Sequence, residues 1–218
     1  MPDDAAEPEA ANLGALPDSV LQLVRVAAAI AGLDEQSLKQ IMETAANEAD
    51  NTLVEEVILQ SYLFAGFPRA LNAARIWRSI VPAPARGTTR ETGDLHEWRE
   101  RGEATCKRVY GAAYERLRQN IRALHPLLDE WMVVDGYGKV LSRDVMDLQT
   151  RELCIIGACA ASGQQRQLHS HLRGALNVGA SAEAVESALD ALSDLIPADR
   201  LATYKLLFAR VRGRPDVH

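Results

Sequence analysis

The sequence predicts an all-α protein, and three observations point to this class. Hydrophobic residues make up 47% of the chain, but aromatic residues make up only 5%. Ala, Leu, Glu, Arg and Gln are abundant, and these side chains lose little rotamer freedom in a helix. Residues that favour helix starts also stand repeatedly just ahead of apolar segments with helical spacing.

The first part of the chain predicts four short helices. Each begins with a side chain that can cap a helix or with a proline in the first turn. The predicted starts are Asp18 or Ser19, Asp34, Asn51 or Thr52, and Pro68. Four short helices of this kind form a bundle-like unit.

A segment with two prolines and a glycine divides the chain at residues 81–92. Prolines interrupt a helix because they lack a backbone donor and clash with the preceding turn. We therefore predict one unit at 13–80 and a second at 93–218, joined by this linker. Residues 1–12 are acidic and rich in Ala, Pro and Glu, which predicts a disordered lead-in.

The second unit predicts a long helix, a short helix, a turn and four further helices. The long helical pattern covers residues 94–124, the short helix opens at Pro126, and residues 135–138 are interpreted as a turn. The starts predicted for the last four helices are Asp147, Gln164, Ser181 and Pro197. Gly163 is the break between the first two of these four helices.

The two parts of the chain echo one another. Gly32 and Gly163 are equivalent in this echo and lie 131 positions apart, and apolar positions match at the same shift. This pattern indicates a degenerate duplication. Glu152 falls opposite Leu21, so the second part alone is expected to keep a chemical site.

Charge and composition exclude several classes of partner. A net charge of −6 repels phosphate, so we expect no nucleic acid partner. No apolar run reaches the roughly 20 residues that cross a bilayer, so we expect no membrane partner. The acidic N-terminus does not resemble a secretory signal, and three cysteines give no disulfide framework. These observations predict a cytoplasmic protein.

A carboxylate and an imidazole, Glu152 and His171, stand on two neighbouring predicted helices. Gln164 and Gln167 share a helix face with His171, because they precede it by seven and four positions. One interpretation is an acid/base pocket between packed helices, and the other is a hydrogen-bonded structural histidine. No HxxxH, HExxH or CxxC pair is present, so we expect no metal.

Four segments together resemble the carboxymuconolactone decarboxylase family. They are YLFAGFPRALNA at 62–73, GYGKVLSR at 136–143, REL at 151–153 and HLRGA at 171–175. With their surroundings they cover most of the chain outside the lead-in and linker. The resemblance implies an AhpD-like helical bundle built from two degenerate repeats, at 13–80 and 93–218, the second carrying the Glu/His motif.

This chain departs from its relatives in two ways, the first of which concerns the related alkylhydroperoxidase branch. Gln164 and Gln167 stand where that branch has a CxxC, and peroxide reduction of that type needs an attacking and a resolving thiol. The segment at 62–73 also precedes the histidine helix, whereas in single-domain relatives it follows. The resemblance therefore implies a pocket that combines Tyr62 and Phe67 with the Glu/His pair.

The resemblance implies an enzyme that works without a cofactor on a small cyclic carboxylic acid, by decarboxylation or by lactone and proton-transfer chemistry. His171 would be the general acid/base, and Glu152 would orient it. The substrate-binding residues would include an arginine that clamps a carboxylate and glutamines that donate to an enolate oxygen. Beside Tyr62 and Phe67, these candidates are Arg143, Arg151 or Arg173 for the clamp, and Gln164 and Gln167 for the donors.

Two other classes of function stay open at this point. One is a thiol-based, AhpD-like redox protein, which needs Cys159 or Cys106 to be exposed with a lowered pKa. The other is a non-catalytic binding or assembly member of the fold, in which His171 is enclosed in apolar surroundings. The resemblance also implies a homo-oligomer, because family members pack helices across subunits.

Overall fold

Eleven α-helices, one 3₁₀ turn and one π-helix form the computed structural model, which describes residues 16–83 and 93–213. No β-strand occurs in these two ranges, so the predicted all-α class is confirmed. The lead-in predicted at 1–12 lies outside the described residues, as does most of the linker predicted at 81–92.

Four helices make up the first part of the chain. They are α1 (Asp18–Gly32), α2 (Glu35–Glu48), α3 (Asn51–Ala65) and α4 (Phe67–Ile80). The Asp34 side chain caps α2, as predicted, by accepting a hydrogen bond from the backbone N–H of Ser37. The cap of α3 is Asp50 rather than Asn51 or Thr52, and α1 follows Pro17 without a side-chain cap.

The long helix predicted over 94–124 is broken, so that prediction is wrong. It divides into α5 (Leu95–Tyr110) and α6 (Tyr114–Leu124), with a 3₁₀ turn between them. Gly111 causes the break, because its φ of +51° is a left-handed conformation that a continuing helix does not allow. The short helix predicted at Pro126 is confirmed as α7 (Pro126–Trp131).

The turn predicted at 135–138 is also wrong, because these residues lie inside a π-helix (Met132–Leu141). Its glycines serve packing rather than a turn. A Cβ on Gly138 would overlap the Trp98 backbone, and one on Gly102 of α5 would overlap the Val133 backbone. Glycines on both elements thus let α5 and the π-helix pack backbone against backbone.

The last four helices are α8 (Leu148–Ala161), α9 (Gln165–Asn177), α10 (Ala182–Asp190) and α11 (Ala198–Arg212). The predicted caps of α8 and α10 are confirmed. Asp147 accepts from the backbone N–H of Thr150, and Ser181 accepts from that of Ala184. Each bond satisfies a donor that the first helical turn would otherwise leave unpaired.

The core of the molecule is built around α8, in which every residue except Gln149 is buried. Helix α1 crosses it at close range. A Cβ on Gly157 would lie 2.7 Å from the Val24 carbonyl oxygen, and one on Gly32 would lie 2.7 Å from that of Ala161. These glycines therefore set the close approach of the two central helices. Within the described ranges, none of the helices is both long and apolar enough to span a membrane.

The helix boundaries follow the echo seen in the sequence. Advancing the starts of α1, α2, α3 and α4 by 131 positions places each within one residue of the start of α8, α9, α10 and α11, respectively. Helices α5 to α7 and the π-helix lie between the two sets. The division of the chain into domains stays a prediction.

Candidate functional site

The carboxylate of Glu152 and the imidazole of His171 meet between α8 and α9. Glu152 Oε2 lies 2.8 Å from His171 Nδ1. Glu152 is fully buried, and His171 is only 5% exposed. Because Nδ1 faces the carboxylate, Nε2 is the ring nitrogen left to meet a ligand.

Gly174 provides the space that this contact needs. A Cβ at this position would lie 2.7 Å from Glu152 Oε2 and 2.7 Å from Val109 Cγ1. The small residue therefore allows α9 to approach both α8 and α5. Ala175, one turn after His171, is fully buried on the same face.

His171 opens onto a pocket of about 690 Å³, which we call the aromatic pocket. Its wall comes from α3, α4, α5, α7, the π-helix and α9, and it joins residues from both parts of the chain. The lining residues are Tyr62, Leu63, Phe64, Phe67, Tyr110, Leu128, Trp131, Met132, Asp135, Gly136, Tyr137, Leu141 and His171.

Aromatic rings surround the imidazole on several sides. The Phe64 ring stands edge-on to His171, with ring centroids 5.6 Å apart, and the Tyr110 ring centroid lies 6.5 Å away. Tyr62 and Phe67 pack on each other at 5.0 Å in the outer wall. The structure thus brings Tyr62 and Phe67 into the same pocket as His171.

Tyr110 and Tyr137 place two hydroxyl groups in this wall. The Tyr137 hydroxyl donates to the Tyr110 hydroxyl across 3.2 Å. Burial raises the pKa of both phenols above the ordinary value. Both groups therefore remain protonated hydrogen-bond donors throughout the neutral pH range.

Gln164, Gln167, Arg143 and Arg173 are not among the lining residues. Both glutamines are exposed: His171 lies at the edge of the buried face of α9, so residues aligned with it in earlier turns face solvent. The Arg173 guanidinium donates to the Val211 carbonyl. The structure does not bring these four to the pocket.

Arg143 and Arg151 form a buried ion-pair cluster with Glu56 of α3. Arg143 Nη2 lies 2.8 Å from Glu56 Oε1, and Arg151 Nη2 lies 2.9 Å from Oε2. Burial alone would raise the pKa of the Glu56 carboxyl, but hydrogen bonds from the two arginines outweigh burial and lower it. These arginines connect the two parts of the chain rather than facing a ligand.

The three cysteines are all buried and free, with no disulfide between them. Burial raises the pKa of Cys106, Cys154 and Cys159 to about 12 in each case. A thiol must ionise to attack a peroxide, so none of the three has the environment of a reactive cysteine. Within the described ranges, His, Cys, Asp and Glu side chains form no group of three that could hold a metal ion.

A second cavity, of about 650 Å³, is lined mainly by residues of the first part of the chain and includes positions equivalent to residues of the aromatic pocket. Leu21 and Gln40 line it, and they stand 131 positions before Glu152 and His171. Leu195 also lines it and stands 131 positions after Phe64 of the aromatic pocket. A leucine and a glutamine thus stand at the positions equivalent to Glu152 and His171.

Several wall residues were missing from the sequence prediction. Phe64 and Tyr137 lie inside segments that resemble the family, at 62–73 and 136–143, so their neighbours were a usable signal. No such signal marks Tyr110 in the sequence, because α5 reaches the pocket through tertiary packing alone. Trp131 and Leu128 lie on α7, where no pattern marks them as pocket residues.

Residues 130–198 match the model of the Carboxymuconolactone decarboxylase family. The chain therefore contains a domain of this family, which confirms the resemblance over that region. It is also 31% identical over 137 residues to Peroxisomal protein 2 of Schizosaccharomyces pombe, covering 62% of this chain and 64% of that protein. Peroxisomal protein 2 of Saccharomyces cerevisiae is 25% identical over 159 residues, covering 61% of this chain and 56% of that protein.

These relatives correct one prediction made from the sequence. The chain was expected to be cytoplasmic because the N-terminus does not resemble a secretory signal. Both curated relatives are named as peroxisomal proteins, so that prediction is wrong. The reason is that the absence of a secretory signal excludes one route only and does not distinguish the cytoplasm from an organelle.

Proposed function

We propose that this protein is a general acid–base enzyme in which His171 transfers a proton to or from a small molecule in the aromatic pocket. One observation supports this most directly: a buried carboxylate lies 2.8 Å from an imidazole that lines a cavity. Such an arrangement fixes the tautomer of the ring and points the other nitrogen at a ligand.

Glu152 has two roles in this proposal. With Nδ1–H donated to Oε2, His171 presents the lone pair of Nε2 and acts first as a base. The imidazolium that forms is then stabilised by the buried carboxylate. Among the described residues, Glu152 Oε1 finds no hydrogen-bond partner, so a protonated His171 is the main countercharge available to this carboxylate.

The resemblance implies decarboxylation of a lactone, which requires recognition of a carboxylate and delivery of a proton to carbon. The pocket supports the second requirement better than the first. Proton delivery to carbon is supported by the Glu152–His171 pair. Recognition of a carboxylate is less well supported, because no Arg or Lys is among the lining residues. We therefore propose proton transfer on a lactone or related carbonyl compound, with decarboxylation as the alternative to be tested.

Tyr62 and Phe67 are proposed to bind the substrate through their rings. Their mutual packing in the outer wall offers an apolar surface to a small ring compound. Phe67 is 62% exposed, so a bound molecule or a second subunit would cover it. Self-association stays a prediction from the resemblance.

Two observations weigh against the other classes of function. A thiol redox protein requires a reactive cysteine, and all three thiols are buried with a raised pKa. A purely structural histidine would be enclosed, whereas His171 lines an aromatic pocket of about 690 Å³. Both observations favour acid–base chemistry.

Two assays on the wild-type protein distinguish the reactions. Deuterium uptake by α-angelica lactone in D₂O, followed by proton NMR, reports proton transfer at carbon. Carbon dioxide release from carboxymuconolactone reports decarboxylation. The proposal expects catalysed deuterium uptake, and a rate no higher than the solvent background in both assays would contradict it.

A further inference from the structure

We propose, on the basis of the proposed function, that the Tyr110 and Tyr137 hydroxyls form a binding site for a carbonyl oxygen, and that the pocket selects an uncharged carbonyl compound over a carboxylate. The glutamines expected to fill this donor role face solvent instead. The tyrosine pair lies inside the pocket, in the same wall as His171.

The spacing of the two hydroxyls suits a single acceptor. Their oxygens are 3.2 Å apart. When Tyr137 exchanges its hydrogen bond to Tyr110 for one to a ligand, both protons can point to a third oxygen at about 2.7 Å. Two donors that converge on one oxygen stabilise the negative charge that develops when a carbonyl becomes an enolate. Because burial keeps both phenols protonated, the pair donates rather than repels this charge.

The tyrosine pair and the imidazole are separated by distances on the scale of one small molecule. The Tyr110 and Tyr137 ring centroids are 6.0 Å apart, and those of Tyr110 and His171 are 6.5 Å apart. At these spacings one small molecule can contact the tyrosine pair and the imidazole together. Holding the ligand and the imidazole close together in this way favours proton transfer between them.

The charges of the wall favour an uncharged ligand. Asp135 is the one carboxylate among the described lining residues, and its Oδ1 lies 2.5 Å from Lys139 Nζ. His171 is the one group in that wall that can become cationic, and Glu152 already faces it. A carboxylate entering here would lose its hydration without gaining an arginine or lysine partner.

The proposed step conserves atoms and charge. His171 Nε2 removes a proton from the carbon beside the carbonyl, and the C–H electron pair becomes the carbon–carbon double bond of an enolate. The negative charge moves to the oxygen between Tyr110 and Tyr137. The imidazolium, stabilised by Glu152, then returns the proton to the same carbon or to a conjugated one.

Matched probes test the ligand class. Coumarin is an uncharged aromatic lactone, and coumarin-3-carboxylate is the same ring system with one added carboxylate. Calorimetric titration of the full chain at neutral pH gives the Kd of each. We expect coumarin to bind at least about 10-fold more tightly than its carboxylate, since the charged group is desolvated without a partner.

Tyrosine-to-phenylalanine variants test the donor site. Tyr110→Phe and Tyr137→Phe each remove one hydroxyl and keep the ring, so each should weaken coumarin binding by about 3- to 10-fold. Tyr204→Phe is the matched control, because Tyr204 is buried on α11 and does not line the pocket. It should leave the Kd for coumarin unchanged, and circular dichroism verifies that each variant is folded.

The outcomes separate this inference from the proposed function. His171→Gln should abolish deuterium exchange but keep the preference for coumarin. If this variant retains deuterium exchange, the proposed function fails. The Kd values of coumarin and its carboxylate then still test the donor site on their own. Absence of coumarin binding, a carboxylate that binds as tightly, or unchanged coumarin affinity in both folded pocket variants would overturn the donor-site inference.

Discussion

Glu152 Oε2 and His171 Nδ1 are 2.8 Å apart in the interior of the protein, where neither residue exposes more than 5% of its surface. The carboxylate comes from the second turn of α8, and the imidazole comes from the middle of α9. Gly174 lies beside the contact and leaves room for it. This relationship holds the imidazole in one orientation, as the proposed proton transfer requires.

Replacing Glu152 by glutamine should lower turnover far more than stability. The amide keeps the shape of the side chain but removes the charge that stabilises the imidazolium, so we expect kcat to fall by about 10²-fold or more. Deuterium uptake by α-angelica lactone measures this change, and thermal melting follows the fold. Glu115→Gln, on the exposed part of α6, is the control. Equal rates in both variants would exclude an electrostatic role for Glu152.

Gly174→Ala should disrupt the site through overpacking. The added methyl group meets Glu152 Oε2 and Val109 Cγ1 at 2.7 Å, so α9 must shift away from its neighbours. We expect a loss of about 1–3 kcal/mol in the free energy of unfolding, together with reduced activity. Urea denaturation measures the first effect. Ser170→Ala, on the same helix, should change stability by less than about 0.5 kcal/mol, and equal behaviour of the two variants would refute the packing role.

The helix starts could be predicted largely from the sequence because capping is local. Asp34, Asp147 and Ser181 cap helices as expected, since a side chain and the next turn suffice to form each cap. The break at Gly111 and the π-helix were not predictable in this way. The break comes from the positive φ of Gly111. The π-helix packs on α5 through glycines that look like turn residues in the sequence.

The site was predictable to the extent that helical periodicity defines it. Glu152 and His171 were found because each lies on a recognisable helix, and the family resemblance suggested Tyr62 and Phe67 as partners. Gln164 and Gln167 shared the correct spacing but face solvent. Spacing along one helix does not show where its buried face ends, and only the neighbouring helices determine that limit.

The Glu56 cluster predicts a dependence of stability on pH. The arginines hold the pKa of Glu56 below its ordinary value of 4.5, so the cluster stabilises the fold fully above that pH. This contribution is lost as the pH falls through the lowered pKa, because protonation removes the charge that the arginines need. Thermal melting from pH 3 to 7 should therefore show a decline at the acidic end.

Glu56→Gln tests the same cluster at neutral pH. The variant leaves Arg143 and Arg151 buried without their carboxylate, which should cost about 3–5 kcal/mol in the free energy of unfolding. The exposed Glu43→Gln variant on α2 should cost less than about 0.5 kcal/mol. A Glu56→Gln protein as stable as wild type would contradict the assigned role of the cluster.

The thiols should be inert in the folded protein. With the pKa of each cysteine raised to about 12, only about 10⁻⁴ of each thiol is ionised at pH 8, and burial limits access further. Iodoacetamide should therefore leave the native protein unmodified by mass spectrometry, with full activity, whereas the urea-unfolded protein should take up three labels. Rapid labelling of Cys106 or Cys159 in the native protein, with loss of activity, would support a thiol-based redox function instead.

The role of His171 is tested most directly by comparing equivalent positions in the two halves of the chain. His171 lines the aromatic pocket, and Gln40, 131 positions earlier, lines the second cavity. The measurement is the rate of deuterium uptake by α-angelica lactone in His171→Gln, Gln40→Ala and wild type. Proton transfer by His171 predicts a loss of at least about 10²-fold in His171→Gln and an unchanged rate in Gln40→Ala. A folded His171→Gln protein that exchanges deuterium at the wild-type rate would contradict it.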